Sequence, residues 1–145
     1  MEPVKIAGGI WWVGAQNPGL RVFDVIMHTD WGTSYNSYLI KGTEKTAVVD
    51  AVKDGFTDEQ FERISAVCDI STIDYIICNH TEPDHSGGVK RLLEAAPNAV
   101  VLCSKPASVF LKNIINDRFE CRVVEDGETL ELGGKTLRFI SAPYL

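Results

Sequence analysis

Short apolar runs, rather than long ones, dominate the first fifty residues of the chain. The segments "IWWVGA", "LRVFDVIMHT", "SYNSYLIK" and "KTAVVD" are rich in the β-branched and aromatic residues that are typical of strands. The short "KGTEK" turn separates the last two of these. This spacing predicts an antiparallel hairpin between residues 34–41 and 45–50.

Strands and helices alternate in the middle of the chain. Residues 57–68 carry Phe61, Ile64 and Val67 at helical spacing, and Thr57 and Gln60 have the spacing of a capping box. "IDYIICN" and "NAVVLCS" are typical of buried strands. "SGGVKRLLEAAP" and "KPASVFLKNIIN" are typical of helices. The alternation predicts an α/β fold.

The last part of the chain returns to strands. Within "CRVVEDGETLELGGKTLRFISAP", the Asp-Gly and Gly-Gly pairs predict two turns between three strands. Leu130 and Leu132 alternate with polar residues, as do Leu137 and Phe139. This is the period of a half-buried hairpin.

Length and charge narrow the class of protein. The chain has 145 residues and a net charge of -6, which suits one domain and argues against nucleic acid or an anionic membrane as partner. Without an apolar run near 18 residues or a basic, apolar leader, we expect a cytoplasmic protein. We expect the four cysteines to be reduced thiols rather than disulfides or zinc ligands, and the three tryptophans to be core or interface aromatics.

The stretch "CNHTEPDHSGG" concentrates side chains that bind metals. His80, Glu82, Asp84 and His85 lie within six positions, between a predicted strand and a predicted helix. Loops at the carboxyl ends of strands are where α/β folds bind ligands. If residues 80–84 are extended, the first three of these side chains point the same way, and His85 comes round as the chain turns into the helix.

Residues after the cluster fit a helix entry. We expect Ser86 to cap the helix, and Gly87 and Gly88 to allow a close approach of backbone to the site. Four ligands this close favour two metal ions over one, and mixed imidazole and carboxylate ligands suit iron or manganese at least as well as zinc. A solvated helix-capping turn is the alternative interpretation of the same polar loop.

The cluster resembles a known metal motif. "HTEPDHSGG" is similar to the H-x-H-x-D-H motif of the metallo-β-lactamase superfamily, with Glu82 in place of the second histidine. That variant resembles the flavodiiron proteins, or A-type flavoproteins. "GTSYNSYLIKGTEKTAVVD", "SKPA" and "GGKTLRFISAP" resemble the same family.

The resemblance implies a fold and a chemistry. The fold would be an αββα sandwich, and the site a pair of non-haem iron ions that reduces dioxygen to water or nitric oxide to nitrous oxide. Electrons would come from FMN in a flavodoxin-like domain of the same polypeptide, or from a rubredoxin-type donor. By resemblance, His80 and Glu82 bind one iron, Asp84 and His85 bind the other, and Asp50 supports the metal loop, although a plain turn aspartate is an equal alternative.

The chain also departs from the family. The family has two further histidines and a bridging aspartate after the motif, whereas His28, the other histidine here, precedes it. We therefore expect residues 1–145 to be part of a metallo-β-lactamase-like diiron domain, without the flavodoxin-like domain, and inactive alone. His28 could donate protons in the site pocket, or be a loop residue without a role.

Two other functions remain open at this level. One is a zinc hydrolase of the metallo-β-lactamase type, which the carboxylate of Glu82 disfavours because it makes the metal a weaker Lewis acid. The other is a non-catalytic fragment that serves in assembly. Because a partial sandwich would leave an apolar sheet face uncovered, we also expect a homo-oligomer.

Overall fold

The computed structural model of this protein describes residues 1–143, so that the last two residues of the predicted domain lie outside the described part. In chain order its strands are β1 (Val4–Ala7), β2 (Ile10–Trp12), β3 (Ala15–Asn17), β4 (Val22–Phe23), β5 (Met27–His28), β6 (Thr33–Tyr35), β7 (Tyr38–Lys41), β8 (Thr46–Val49), β9 (Tyr75–Cys78), β10 (Val100–Cys103), β11 (Cys121–Val123), β12 (Thr129–Glu131) and β13 (Thr136–Arg138). Its helices are α1 (Thr57–Ser65), α2 (Pro83–Ser86), α3 (Val89–Ala95) and α4 (Lys105–Ile114), with a 3-10 turn at Ile70–Thr72.

A seven-stranded mixed sheet forms the centre of the molecule. Its order is β1-β2-β7-β8-β9-β10-β11, antiparallel from β1 to β8 and parallel from β8 to β11. Three two-stranded ribbons, β3 with β6, β4 with β5 and β12 with β13, lie outside this sheet. Because β8, β9 and β10 are parallel, the loops that follow them lie along one edge of the sheet.

Apolar side chains cover both faces of the sheet. On one face Ile64 of α1, Leu92 of α3 and Leu111 of α4 pack with sheet residues in one buried cluster. On the other face Leu130 and Leu132 of the C-terminal ribbon are buried against the sheet. A helical layer, a sheet and the beginning of a second β layer confirm the predicted α/β class.

The covered second face contradicts one expectation. The strands "IDYIICN" and "AVVLCS" do not leave an apolar face open, because Ile77 and Leu102 are buried beneath the β12–β13 ribbon. Leu130 pairs with Leu137 in that ribbon, as the alternation predicts. The reason given for a homo-oligomer is therefore wrong, although the oligomeric state itself remains a prediction.

The N-terminal strands differ from their prediction. "LRVFDVIMHT" is not one strand but the short pair β4 and β5, whose tight turn places Asp24 and Val25 at φ angles of 49° and 68°. Its consecutive apolar residues lack the alternation that would fix one face. "SYNSYLIK" is also divided, since β6 pairs with β3 while β7 pairs with β8. The strand β1 has no counterpart among the predicted strands. Trp31 is not a core residue, because 91% of its surface is exposed.

Two predicted helix caps are wrong. Phe56, not Thr57, precedes α1, and no side chain caps that helix. Ser86 ends the short α2, and its hydroxyl donates to the carbonyls of Thr81 and Glu82. Gly87, between α2 and α3, lies against a loop backbone, where a Cβ would approach the nitrogen of Asp54 to 2.5 Å. α1 also ends earlier than predicted, at Ser65.

Other expectations agree with the structure. The hairpin of β7 and β8 has Tyr38 opposite Val49, and within residues 1–143 all four cysteines are free thiols. Cys78 and Cys103 are buried, and burial raises the pKa of both thiols, to about 12 for Cys103.

Among the described helices none has the length and apolar character needed to cross a membrane.

Candidate metal site

The ligand-type cluster lies at the carboxyl edge of the parallel strands, directly after β9. The backbone of Glu82 is extended, and the next residue, Pro83, begins α2. A proline at the first helical position has its φ angle fixed for the helix and needs no N–H partner. Asp84 and His85 are therefore helical, and the expectation of an extended run through residue 84 is wrong.

The four predicted ligands form two pairs. His80 Nε2 lies 3.4 Å from Glu82 Oε1, and His85 Nε2 lies 3.4 Å from Asp84 Oδ2. The centroids of the two imidazole rings are 5.2 Å apart, with the rings nearly edge to face. The loop and the first turn of α2 thus bring the two pairs side by side.

Asp50 supports the Asp84–His85 pair from behind. It follows β8, and its Oδ2 lies 3.3 Å from His85 Nδ1 while its Oδ1 accepts the backbone N–H of Asn79 at 2.8 Å. The N–H of Ala51 donates to the carbonyl of His85 at 2.8 Å. One strand end therefore holds both the ring and the backbone of His85, as a carboxylate behind a ligand histidine does in metal sites.

The charge around His85 favours its protonated form. The hydrogen bond to Asp50 is the main cause that raises the pKa of His85, and the negative charges of Asp50, Asp84 and Glu82 act in the same direction. Partial burial of the ring opposes them and is outweighed. A divalent cation would replace this proton and offset the same carboxylate charges.

A buried row of two polar side chains, Ser37 and Gln60, lies behind Asp50. Ser37 Oγ donates to the carbonyl of Asp50 at 2.8 Å, and Gln60 Nε2 donates to Ser37 Oγ at 2.9 Å. Sequence reasoning missed both roles, and assigned Gln60 to a cap that does not form. The available signal was Ser37 itself, a polar residue just before the apolar strand β7.

His28 lies elsewhere. It is exposed on β5, opposite Val22, and within residues 1–143 no hydrogen bond or ion pair joins its side chain to another group. The structure gives no support to a role for this histidine in the site pocket.

The donors fit iron as two half-sites rather than as a complete one. Within the described part of the chain, no three His, Cys, Asp or Glu side chains converge closely enough to hold an ion. Each pair offers one imidazole and one carboxylate, a combination that suits iron. The remaining positions around each ion would have to be filled by solvent or by other ligands.

Known proteins resemble the chain over nearly all of its length. The profile of the family described as ODP family beta lactamase matches residues 33–145. The flavo-diiron protein FprA2 of Clostridium acetobutylicum is 48% identical over 100% of this chain and 36% of its own length. A nitric oxide reductase of Moorella thermoacetica is 39% identical over 99% of this chain and 36% of its own length.

Solved structures give the same result for the fold. The rubredoxin oxygen:oxidoreductase of Desulfovibrio gigas superposes with a TM-score of 0.90 at 33% identity, over 95% of this chain and 34% of that one. The chain thus spans about a third of the length of the relatives that it matches. Its fold is that of a metallo-β-lactamase-like domain, present in part, and the chain belongs to the ODP beta lactamase family, with flavodiiron proteins among its relatives.

Proposed function

We propose that this chain is the metal-loop portion of a flavodiiron oxidoreductase, which reduces dioxygen or nitric oxide at a non-haem diiron centre. The observation that carries the proposal is the pair of imidazole–carboxylate couples, each with its two donor atoms 3.4 Å apart, on one strand-to-helix loop. Two couples side by side suit two ions better than one.

The residue roles follow from the pairing. His80 and Glu82 would hold one iron, and Asp84 and His85 the other. When bound, the two irons would supply a place for the diatomic substrate and would pass to it the electrons that an FMN domain delivers. Asp50 fixes the His85 ring so that Nε2, on the side of Asp84, is the nitrogen available to a metal.

The activity belongs to a longer protein in this proposal. Names of similar proteins include a nitric oxide reductase and a rubredoxin oxygen:oxidoreductase, and the chain spans about a third of such relatives. The missing iron ligands, a flavodoxin-like domain with FMN and a rubredoxin-type donor would lie outside residues 1–145. The reading frame beyond Leu145 is the first place to look for them.

Metal identity separates this proposal from a zinc hydrolase. Glu82 places a carboxylate where the hydrolases have an imidazole, and a carboxylate reduces the Lewis acidity on which hydroxide attack depends. Iron in the longer protein, purified without oxygen, supports the diiron proposal. Zinc together with ester or lactam hydrolysis would contradict it.

Metal retention and gas consumption form the experiment. We expect residues 1–145 alone to lose iron during desalting against a chelator and to consume neither gas. The longer protein should keep about two irons per chain and turn over at roughly 1–1000 per second. His80→Gln in the longer protein should lower iron content, whereas the matched variant His28→Gln should not. Equal iron in both variants would contradict the ligand assignment.

A homo-oligomer is part of the same proposal. The side chains of Val25 and Ile26, in the β4–β5 turn, and of Trp31, which follows β5, are exposed, and an assembly could cover them. Sedimentation at micromolar concentration tests this point. A single species near 16.0 kDa would reject association for this chain.

A further inference from the structure

The buried row of Ser37 and Gln60 has no part in metal ligation, yet it contacts the backbone of the residue that supports His85. Both side chains are fully buried, and Asp50 is 7% exposed. The row runs from Gln60 of α1, through Ser37 just before β7, to Asp50 just after β8. It connects a helix of the core to the edge of the sheet where the metal loop lies.

The direction of each hydrogen bond is set by its donors. The Gln60 amide nitrogen can only donate, so that the hydroxyl oxygen of Ser37 accepts and its hydrogen is directed to the carbonyl of Asp50. Asp50 has a φ angle of 56°, a conformation that few residues other than glycine adopt. Its N–H donates to the carbonyl of Ile77 at 2.8 Å. The residue is thus held on both sides of its peptide backbone.

We propose that Ser37 and Gln60 are positioning residues: by holding the carbonyl of Asp50 they aim its carboxylate at His85 Nδ1, and so keep the proton of neutral His85 on Nδ1 and leave Nε2 free for a metal. The diiron function proposed above supplies only the purpose of a free Nε2, and this inference rests on it to that extent. The hydrogen bonds themselves are all between described residues and need no metal.

Unsatisfied polar atoms argue for positioning over stability. Gln60 Oε1 and the hydroxyl of its neighbour Thr57 are buried and find no hydrogen-bond partner within residues 1–143. A buried polar atom without a partner destabilises a fold, and an apolar residue of similar shape would avoid that cost. Gln60 is therefore a poor choice for stability alone, and its one well-placed bond, to Ser37, leads to Asp50.

The test measures the tautomer of His85 directly, in the metal-free chain of 145 residues. Long-range ¹H–¹⁵N correlation spectra distinguish the two neutral forms, and the chain has three histidines, so that His28→Gln and His80→Gln assign the signals. At a pH where His85 is neutral, we expect the Nδ1–H form to dominate. Ser37→Ala should lower the ratio of Nδ1–H to Nε2–H about fivefold, the factor that one ordinary hydrogen bond supplies.

Matched variants separate positioning from general damage. Ser37→Thr keeps the hydroxyl and should keep the ratio of the unaltered chain. Ser108→Ala is the control, because Ser108 is a buried serine whose hydroxyl donates to a carbonyl in α4, away from the metal loop. It should lower stability without moving the ratio. An unchanged ratio in folded Ser37→Ala would overturn the proposal.

A variant that does not fold still leaves a decisive measurement. Gln60→Met has similar volume and also removes the unsatisfied oxygen, so that it replaces Ser37→Ala if that variant fails. Loss of folding in both would overturn the proposal, since the pair would then serve stability alone. Because no metal is present, the tautomer result does not depend on whether the longer protein binds iron or zinc.

Discussion

The two ligand pairs lie on one loop but are built differently. In the Asp84–His85 pair the side chains are 21% and 30% exposed, and Asp50 holds the ring at 3.3 Å. In the His80–Glu82 pair they are 38% and 58% exposed, and within residues 1–143 each side chain has only the other as polar partner. The first pair is fixed before any metal arrives, whereas the second is open.

The difference shows that supporting contacts, more than ligand type, decide how well a half-site is formed. Both pairs have one imidazole and one carboxylate. Only His85 has a carboxylate behind its ring and a backbone bond that ties it to the loop after β8. Changes at Asp50 should therefore affect the whole fold, while changes at Glu82 should affect metal binding alone.

The largest effect is expected for Asp50→Ala. It leaves the N–H of Asn79 and the ring of His85 without their partner, and it places alanine at a positive φ angle that aspartate tolerates better. We expect the free energy of unfolding to fall by about 2–4 kcal/mol in urea titrations.

Asp50→Asn is the matched variant for that measurement. Asparagine accepts the N–H of Asn79 and tolerates the same φ angle, but it directs an amide toward His85. It should lower the free energy of unfolding by about half as much as Asp50→Ala does. A fall of less than about 0.5 kcal/mol for Asp50→Ala would remove the contrast between the two pairs.

A smaller effect is expected from pH. The pKa of His85 is raised in the folded state, mainly by Asp50. The folded chain therefore binds the His85 proton more tightly than the unfolded chain does. The resulting stabilisation is complete below the ordinary histidine pKa of about 6.5, and is lost as pH rises through the higher folded value.

Urea midpoints measured across that pH range check the sign. The midpoint should decline as pH rises above about 6.5. The decline should become shallower in Asp50→Asn, which lacks the carboxylate charge, and should persist in His80→Gln, which leaves the His85–Asp50 pair intact. A midpoint that rises with pH in this range, or an equal slope in Asp50→Asn, would show that Asp50 does not control His85.

The sequence predicted those parts of the fold and of the site that depend on the pattern of neighbouring residues. The alternation in β12 and β13, the short turn between β7 and β8, and the strand–motif–helix order of the metal loop were all evident from neighbouring residues. The ligand cluster was evident for the same reason, since its members lie within six positions.

Long-range contacts account for what the sequence did not reveal. Gln60 lies 23 positions from Ser37, and their bond depends on how α1 crosses the sheet. The short helix α2 occupies residues that were predicted to be extended, and Gly87, which follows it, contacts a loop backbone from more than thirty positions upstream. Periodicity carries no information about either contact, which explains why Gln60 was assigned to a helix cap.

The smallest effect on stability is expected at the open pair. Glu82 is 58% exposed, and its contact with His80 is an ion pair only when that ring is protonated. Exposed pairs of this kind contribute little, so Glu82→Gln should change the free energy of unfolding by less than about 0.5 kcal/mol. Glu94→Gln, in the similarly exposed pair with Lys90, is the matched control. In the longer protein, by contrast, Glu82→Gln should lower iron content while Glu94→Gln does not. Iron content equal in the two variants would remove Glu82 from the ligand set, and a loss of stability as large as that of Asp50→Ala would show that the second pair is not open.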